Sequence, residues 1–423
     1  MTRQRIRATE SSARNTGDLA IQAHVSWRQQ FEIASKVKAT TLTQEHYPVF
    51  ASSSLTELGL SREMKPGHVG PDYTEHVYDY DTFWYDAFWD RGNLVVFCPK
   101  LFGLYHLIRE GQFYLDEDKV GKPRLKSHEF YDALIIRASK KPQTLRFEWG
   151  GSSVESPVNS VQQDSAPHAG KNVAVTLSRD NDLTWIEDFA RYHCQVHGLE
   201  QMLFFDNASS RYGLDDIRDA LKRGGIADPV VLSAPFRFGL ATRDKKGKLR
   251  YNTEFLQTTL LNIARIRFLS GSRAVLQCDI DELVWSKKGR IFDLTRERPT
   301  GLIRLGVEWR YPDSGLTEDF RHSDHIRKTP GDKLCRAKYC IVPSGPLWFS
   351  SWHIHTIGLL RSRGSLITPK EHGIWHCKAI TSSPWRSYDP GAIPNLVKAP
   401  NTQSAFEAVD WANDPAREDP GQV

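Results

Sequence analysis

The chain has 423 residues, of which 39% are hydrophobic and 25% charged, and its formal net charge is +5. This is the composition of a soluble globular protein, and so weak and mixed a charge argues against a nucleic-acid partner. The length indicates two or three domains, or one large domain with an appendage. Because no run of about 18 apolar residues occurs, no membrane-spanning helix is predicted, and peripheral membrane contact stays open.

The N-terminal part of the sequence predicts a tail followed by a β-rich region. Residues 1–20 are polar and predict disorder. From about residue 76, β-rich runs such as NLVVFCP and YDALIIR alternate with turns, so residues 21–150 are assigned to an accessory β-rich domain. Residues 151–171 are rich in Ser, Gly, Pro and Asn, which predicts a linker.

From residue 172 onward, strands alternate with helices. The predicted strands are 172–178, 201–207, 229–235 and the run RAVLQCDIDELVW, and the main predicted helices are 183–198 and 252–271. Such alternation predicts an α/β domain with a mostly parallel sheet and helices on both faces, assigned here to residues 172–389. Residues 390–423, rich in Pro, Asn, Asp and Ala, predict a loose tail.

The cysteines of this chain are scattered, and none forms a Cys-x-x-Cys pair. Zinc ribbons and redox sites need that spacing, so neither is predicted. Isolated cysteines in a long chain are typical of reduced thiols in a cytosolic protein, and the basic N-terminus lacks the apolar segment of a secretory signal. We therefore expect a cytoplasmic protein, with the inner membrane face as the alternative.

Asp279 and Asp281 stand where the predicted fourth strand ends. On an extended backbone, residues i and i+2 point the same way, so both carboxylates would face one point, while Glu282 would point away. Like charges so close repel unless a cation neutralises them, and carboxylate oxygens suit Mg²⁺ or Mn²⁺. The pattern favours a metal that grips a nucleotide diphosphate. A strand end with solvated acids is the alternative, since D-x-D is common.

Polar clusters also follow two earlier predicted strands, as SRDN at 178–181 and DNAS at 206–209. Ligands of α/β sheets bind at the carboxyl ends of the strands, so these clusters are expected to line one cleft with the aspartates. The turn propensity of Asn, Asp and Ser is the alternative explanation.

Together these segments resemble the GT-A glycosyltransferases, and within them glycosyltransferase family 92, the domain of unknown function 23, with its bacterial family-2-like relatives. The matching text is SRDNDLTWIEDFARYHCQVHGLEQMLFFDNASS, FLQTTLLNIAR with Gln257, CDIDELVW, RAKYCIVP and WHCKAITSS. It extends over roughly half of the chain, from about residue 172 to about residue 385.

The resemblance implies a GT-A fold, a nucleotide-sugar donor, expected to be a UDP-sugar, and bound Mn²⁺ or Mg²⁺. Asp279 and Asp281 would hold the metal and the diphosphate, with His376 as a third metal ligand and His355 as its competitor. The acceptor would be a glycan or a lipid-linked saccharide in polysaccharide biosynthesis. The residues expected near the nucleoside are Arg179, Asn181, Asp206 and Asn207.

The resemblance further implies inversion at the anomeric carbon, which needs a base for the acceptor hydroxyl. The candidates are Glu308 and Asp313, in EWRYPDSG. Two positions depart from the family pattern and affect the donor and acceptor sides: Asn181-Asp182 replaces Asn-Glu, and Tyr311-Pro312 replaces Phe-Gly.

Two other functions fit parts of the sequence. A phosphatase of the haloacid dehalogenase type would use Asp279 as its nucleophile, although Leu283 departs from that motif. A carbohydrate-binding protein with a degenerate transferase domain is the non-enzyme alternative. His193 and His197, spaced i and i+4, could chelate zinc, but no Glu follows His193 and a packing role is expected.

Overall fold

The computed structural model describes residues 48–63, 78–239, 241–243, 249–251, 254–313, 316, 319–331, 333–364, 366–380 and 395–411. The predicted tail 1–20 lies outside the described residues, as do parts of the predicted C-terminal tail. All described residues belong to one compact unit, Pro48–Val423. Within the described residues, no helix is long and apolar enough to cross a membrane.

The β-strands are numbered here in chain order. They are β1 Ser53–Ser54, β2 Thr82–Trp84, β3 Asp86–Asp90, β4 Asn93–Pro99, β5 Gln112–Leu115, β6 Asp118–Val120, β7 Arg124–Ser127, β8 Tyr131–Arg137, β9 Thr144–Trp149, β10 Ser152–Pro157, β11 Asn159–Ser160, β12 Asn172–Ser178, β13 Gln201–Asp206, β14 Val230–Ser233, β15 Ala241–Arg243, β16 Leu249–Tyr251, β17 Ala274–Gln277, β18 Glu282–Ser286, β19 Leu302–Arg310, β20 Arg327–Lys328, β21 Leu334–Ile341, β22 His372–Cys377 and β23 Val397–Lys398.

The helices are numbered in the same way. The α-helices are α1 Tyr105–Glu110, α2 Val161–Ser165, α3 Leu183–His197, α4 Leu214–Arg223, α5 Glu254–Ile263, α6 Ile291–Glu297 and α7 Pro400–Glu407. A π-helical turn, Ala264–Phe268, continues α5. Short 3-10 helices occupy Leu55–Leu58, Phe102–Leu104, Ala166–His168, His322–Asp324 and Gly358–Arg363.

The N-terminal strands form a five-stranded sheet, in the order β11-β3-β4-β8-β7, and a four-stranded sheet, in the order β10-β9-β5-β6. Successive residues of a strand face opposite sides. In β4, Leu94 and Val96 therefore enter a core of N-terminal residues, whereas Val95 and Phe97 pack in one core with Val173 of β12. The described strands of this region share a core with the α/β part, so the predicted accessory domain is not confirmed as a separate unit.

The predicted linker 151–171 is wrong as a description of local structure. Strand β10 pairs antiparallel with β9, and α2 and a 3-10 helix follow. The composition is misleading because β10 alternates buried and exposed residues, with Val154 and Ser156 facing inward. A half-buried strand can therefore carry the Ser and Glu residues that are typical of linkers.

The largest sheet has eight strands in the order β14-β13-β12-β17-β21-β19-β22-β18. Its first four strands are parallel, as predicted. The prediction of a mostly parallel sheet fails in the second half, where β21 is antiparallel to both its neighbours and β22 is antiparallel to β18. The domain is therefore mixed α/β.

This sheet is curled, which follows from the connection between β17 and β18. The two strands are separated by four neighbour-to-neighbour spacings, about 19 Å in a flat sheet. Only a tight turn connects them, in which Glu282 N donates to Asp279 O at 3.1 Å. The far edge must therefore fold back towards β17, and this brings β21 and β22 to the turn that carries the two aspartates.

Candidate functional site

Asp279 and Asp281 lie in the turn between β17 and β18. The expected extended backbone, with both carboxylates facing one point, is therefore wrong: the turn directs them to different partners. The alternation of residues along an extended strand could not predict the turn between β17 and β18, because the turn depends on pairing with strands far along the chain.

Asp279 forms an ion pair with a buried lysine. Lys338 Nζ lies 2.8 Å from Asp279 Oδ2 and 3.6 Å from Glu282 Oε2. Glu282 Oε2 also accepts from Asp279 N at 2.8 Å, so Glu282 belongs to this cluster and does not point away from it. Gln257 Nε2 lies 3.4 Å from Asp279 Oδ1, and the Asp279 side chain is 34% exposed. The Asp279 carboxylate is thus fixed by Lys338 on one side and accessible to a ligand on the other.

The ionisation of this cluster follows from its burial and its charges. Burial alone lowers the pKa of Lys338, but Asp279 and Glu282 hold that pKa well above its ordinary value. Burial raises the pKa of Glu282 to about 7, although Lys338 acts in the opposite direction. Lys338 is therefore a charged ammonium and already supplies one positive partner for the acidic motif.

Asp281 pairs with His376. The distance from His376 Nε2 to Asp281 Oδ2 is 2.8 Å, and both side chains are buried. Strand pairing fixes this contact, since Glu282 stands opposite His376 and Cys377 N donates to Asp281 O at 2.7 Å. Burial lowers the pKa of His376, but the Asp281 carboxylate outweighs it and raises the pKa to about 10. Trp309 stacks on the imidazole, with ring centroids 4.0 Å apart.

The predicted metal ligands are brought together only in part. Asp281 and His376 contact each other, whereas Asp279 is engaged with Lys338. Within the described part of the chain, no three His, Cys, Asp or Glu side chains are arranged to hold a metal ion. A carboxylate and an imidazole are both ligands of divalent cations, but a cation here would have to replace the proton between His376 Nε2 and Asp281 and take its remaining ligands from water and a substrate phosphate.

The two earlier polar clusters meet at the carboxyl ends of β12 and β13. Ser210 N donates to Asp180 Oδ1 at 2.6 Å, and Asp180 N donates to Ser209 Oγ at 2.8 Å. Strand β12 runs parallel to β17, with Val175 opposite Gln277, so both strands end at the same edge. These clusters and the Asp279 turn therefore share one edge of the sheet, as expected.

The four predicted nucleoside-side residues differ in their accessibility. Asn207 is buried, and its amide donates to the Ala234 and Phe236 carbonyl oxygens at 2.7 and 2.8 Å, which is a structural role. Asn181 donates to Ser178 Oγ, and Asp206 Oδ1 accepts from Ser209 Oγ. Burial raises the pKa of Asp206. Arg179 is half-buried and lies 3.6 Å from Asp180 Oδ2.

The two candidate bases sit in different surroundings. Glu308 is on β19, accepts from Arg310 Nη2 at 3.1 Å and is 12% exposed. Asp313 follows β19, lies 3.7 Å from Arg327 Nη1 and is 38% exposed. Asp313 is thus the more accessible carboxylate.

A second buried ion pair, between Asp188 and Arg321, lies next to the aspartate turn. Arg321 binds Asp188 of α3 through Nε and Nη2, at 2.7 and 2.5 Å. Burial would raise the pKa of Asp188, but the hydrogen bonds from Arg321 and the neighbouring His322 lower it. His322 Nε2 lies 2.8 Å from the Ile280 carbonyl oxygen, between the two aspartates. This segment fixes the turn backbone.

Comparisons with known proteins add little to this geometry. No protein-family model matches the chain, and no curated protein matches it. Among solved structures, the galactosyltransferase LgtC in complex with donor and acceptor sugar analogues is 11% identical, with a TM-score of 0.28. The alignment covers 57% of this chain and 98% of that chain. A likeness of this size supports neither a family nor an activity, so the functional inference depends on the site itself.

Sequence reasoning missed Lys338 and the Asp188–Arg321 pair. Lys338 had one local signal, since it is a charged residue inside a strand whose next three residues are all buried. A lysine is almost never fully buried unless it is paired. The competing metal ligand His355 lies beside the Asp279–Lys338 pair: its Nδ1 is 3.2 Å from Ala337 O, and burial, aided by Lys338 and opposed by Asp279, lowers its pKa to about 3.

His193 and His197 have the packing role that was expected. Val284 N donates to His193 Nε2 at 3.3 Å, so Nε2 is the acceptor nitrogen of a neutral ring. The proton is therefore on His193 Nδ1, which donates to Phe189 O at 2.8 Å. Ile291 N donates to His197 Nδ1, and His197 Nε2 donates to Val284 O. Both rings are neutral and tie α3 to β18. Burial lowers the pKa of His193 to about 3 and that of His197 to about 4.

These two histidines predict a loss of stability in mild acid. Their pKa values lie below the unfolded value of about 6.5, so only the unfolded chain takes up protons as the pH falls from about 6.5 towards 4. For each histidine, this proton uptake should lower the free energy of unfolding by about 1.4 kcal/mol per pH unit between about pH 6.5 and pH 4. Urea unfolding at pH 7 and pH 5 should show a shallower pH slope in His193→Gln/His197→Gln than in the wild type. Equal slopes would refute the assignment.

Proposed function

We propose that the protein is a GT-A-type glycosyltransferase that moves a sugar from a nucleotide-sugar donor to a saccharide acceptor. The observation that carries the proposal is the buried Asp281–His376 pair beside the Asp279–Lys338 pair, at the edge where the parallel strands end. This edge is where α/β sheets bind nucleotides. The position is independent of the D-x-D motif itself, because it comes from strand order and register.

The site residues have different roles in binding the donor. Asp281 and His376 would hold Mn²⁺ or Mg²⁺, which when bound neutralises the charge that develops on the leaving diphosphate. Lys338 binds Asp279 and fixes its position, so that the exposed edge of Asp279 can orient the donor. The Asp188–Arg321 pair and His322 keep the turn backbone in place, which preserves these distances during the reaction.

The nucleoside would lie against the loops after β12 and β13. Arg179, Asn181 and Asp206 are the contacts we propose there, while the buried Asn207 shapes the loop. A UDP-sugar is the proposed donor, on the strength of the family resemblance in sequence. For an inverting transfer, Asp313 is favoured over Glu308 as the base, because it is more exposed and an acceptor hydroxyl must reach it.

The substitution Asp281→Asn tests this proposal. In the presence of Mn²⁺, the release of nucleoside diphosphate from a panel of nucleotide sugars should fall by about 100-fold or more relative to the wild type, since a charged group that supports the leaving diphosphate is lost. The matched control is Asp219→Asn, an exposed aspartate on α4 that should leave the rate unchanged. Equal rates for Asp281→Asn and Asp219→Asn would contradict the proposal.

The same variants separate the alternatives. A phosphatase that uses Asp279 as its nucleophile would hydrolyse p-nitrophenyl phosphate, lose that activity in Asp279→Asn and release no diphosphate from nucleotide sugars. A carbohydrate-binding protein would release none either, and Asp281→Asn would leave its glycan binding unchanged. The proposed transferase predicts diphosphate release and no turnover of p-nitrophenyl phosphate.

A further inference from the structure

A large groove lies at the other end of β17 from the aspartate turn. Its volume is about 1220 Å³. Ser270 and Gly271, just before β17, and Pro343, just after β21, form part of its wall. Asp279 follows the opposite end of β17, so the groove is separate from the site described above. The β4–β8 face and α2 form another part of the wall.

The groove contains an arginine whose charge is not balanced locally. Arg265, on the π-helical turn, donates from Nη1 to the Trp348 carbonyl oxygen at 2.8 Å, and its Nε is buried without a hydrogen-bond partner. Among the described residues, no carboxylate forms an ion pair with its guanidinium, and the titratable groups that act on it are Tyr131 and Tyr339. Buried charges in proteins are normally paired, so an unpaired guanidinium at a cavity wall favours an anionic ligand.

Two further basic groups face the same space. Lys126 of β7 and His128 both line the groove, and Lys126 and Arg265 both lie near enough to His128 to act on its charge. Burial, with the repulsion from Lys126 and Arg265, lowers the pKa of His128. The carboxylate at this end, Asp132, is already bound by Lys100 Nζ at 2.8 Å. Among the described residues that line the groove, Asp90 is the one acid, and it pairs with Arg91 at 3.1 Å.

The rim of the groove exposes large aromatic rings. Trp348 is 62% exposed and Phe349 is 56% exposed, with their ring centroids 5.9 Å apart in an edge-to-face arrangement. Leu359 beside them is also exposed. Aromatic surface left in water beside a cavity that also carries cationic groups is typical of a binding site, because packing a flat ligand on it is favourable.

We propose that this groove binds an acidic saccharide. Its carboxylate would lie towards Arg265 and Lys126, and the C–H face of a sugar ring would stack on Trp348, whose ring face carries partial negative charge. Gln162 and Ser165 of the same wall offer hydrogen-bonding groups for sugar hydroxyls. Single-stranded nucleic acid would need a longer track of cations than this groove provides. The inference does not depend on the proposed transferase activity.

Calorimetric titration of the full chain with an oligogalacturonate tests this inference, with an uncharged maltooligosaccharide of equal length as the comparison ligand. The acidic oligomer should bind, and at least about tenfold more tightly than the neutral one. Trp348→Ala should weaken binding about tenfold, and Lys126→Gln, which removes an exposed charge, about twofold to fivefold. Higher salt should weaken binding of the acidic oligomer, since part of the affinity is ionic.

Matched variants keep folding defects apart from binding defects. Leu366→Ala removes an exposed apolar side chain that does not line the groove, and Lys119→Gln removes an exposed charge on β6; both should bind as the wild type does. Asp281→Asn should also bind normally, so a failed transferase proposal would not affect this result. Equal affinity for both oligomers, or a loss that is no larger in Trp348→Ala than in Leu366→Ala, would overturn the inference. Competition by UDP at this groove would also overturn it.

Discussion

Replacement of Arg267 by methionine is expected to lower the free energy of unfolding by about 3–5 kcal/mol. Arg267 is buried on the π-helical turn and binds Asp86 Oδ2 and Asp164 Oδ2, each at 2.8 Å. Asp86 is also fully buried, so loss of the guanidinium leaves an uncompensated charge in the interior. Because Asp86 is in β3 and Asp164 in α2, this arginine ties the N-terminal sheet to the α/β part.

Urea unfolding measures this effect, and a surface pair provides its control. Arg273 forms a 2.8 Å ion pair with Glu200, in which both side chains are substantially exposed. Exposed pairs contribute about 0–1 kcal/mol, so Arg273→Met should be nearly neutral. The double variant Arg267→Met/Asp86→Asn should recover part of the loss. If Arg267→Met destabilised the protein no more than Arg273→Met does, the ion pair would not join the two parts.

The second large effect is expected from Lys338→Met, which removes the cation between Asp279 and Glu282. Glu282 is almost completely buried, so its carboxylate would lose its nearest positive charge, at a cost of about 3–5 kcal/mol at pH 8. Asp279 would also lose the contact that fixes it, so we expect weaker donor binding in the fraction that folds. Urea unfolding at pH 8, where Glu282 is charged in the wild type, is the measurement.

Lys288→Met is the control, because Lys288 forms an exposed ion pair with Glu371 and should contribute about 0–1 kcal/mol. Lys338→Met/Glu282→Gln should be more stable than Lys338→Met alone, since the unpaired carboxylate is then gone. A Lys338→Met variant as stable as Lys288→Met would show that another group neutralises the acids.

The parallel half of the α/β domain was predictable because its signals are local. The expected strand 172–178 is β12, and the expected helix 183–198 is α3 to within one residue. Gly198 ends this helix with φ at +69°, a left-handed conformation that favours glycine. Apolar runs, capping residues and helix-ending glycines of this kind lie within a few residues of the element they define.

The far half of the sheet was not predictable in this way. Strands β21, β22 and β18 pair with partners far along the chain, and no local pattern specifies their order or direction. The aspartate turn and the burial of Lys338 both result from that curled edge. The contact between Asp281 and His376 was expected only through a family resemblance, because 95 residues separate them. Composition was misleading at 151–171, where a half-buried strand looks like a linker.

We propose that a nucleoside diphosphate binds at the Asp281–His376 pair together with a divalent cation. Thermal unfolding with UDP, GDP, ADP and CDP, each with Mn²⁺ and with Mg²⁺, tests it most directly. At about 100 times its Kd, a ligand that binds only the folded state adds about 2.7 kcal/mol of stability. We predict that UDP raises the Tm only when the metal is present, and that Asp281→Asn abolishes the rise. No shift with any nucleotide, in either metal, would contradict the account.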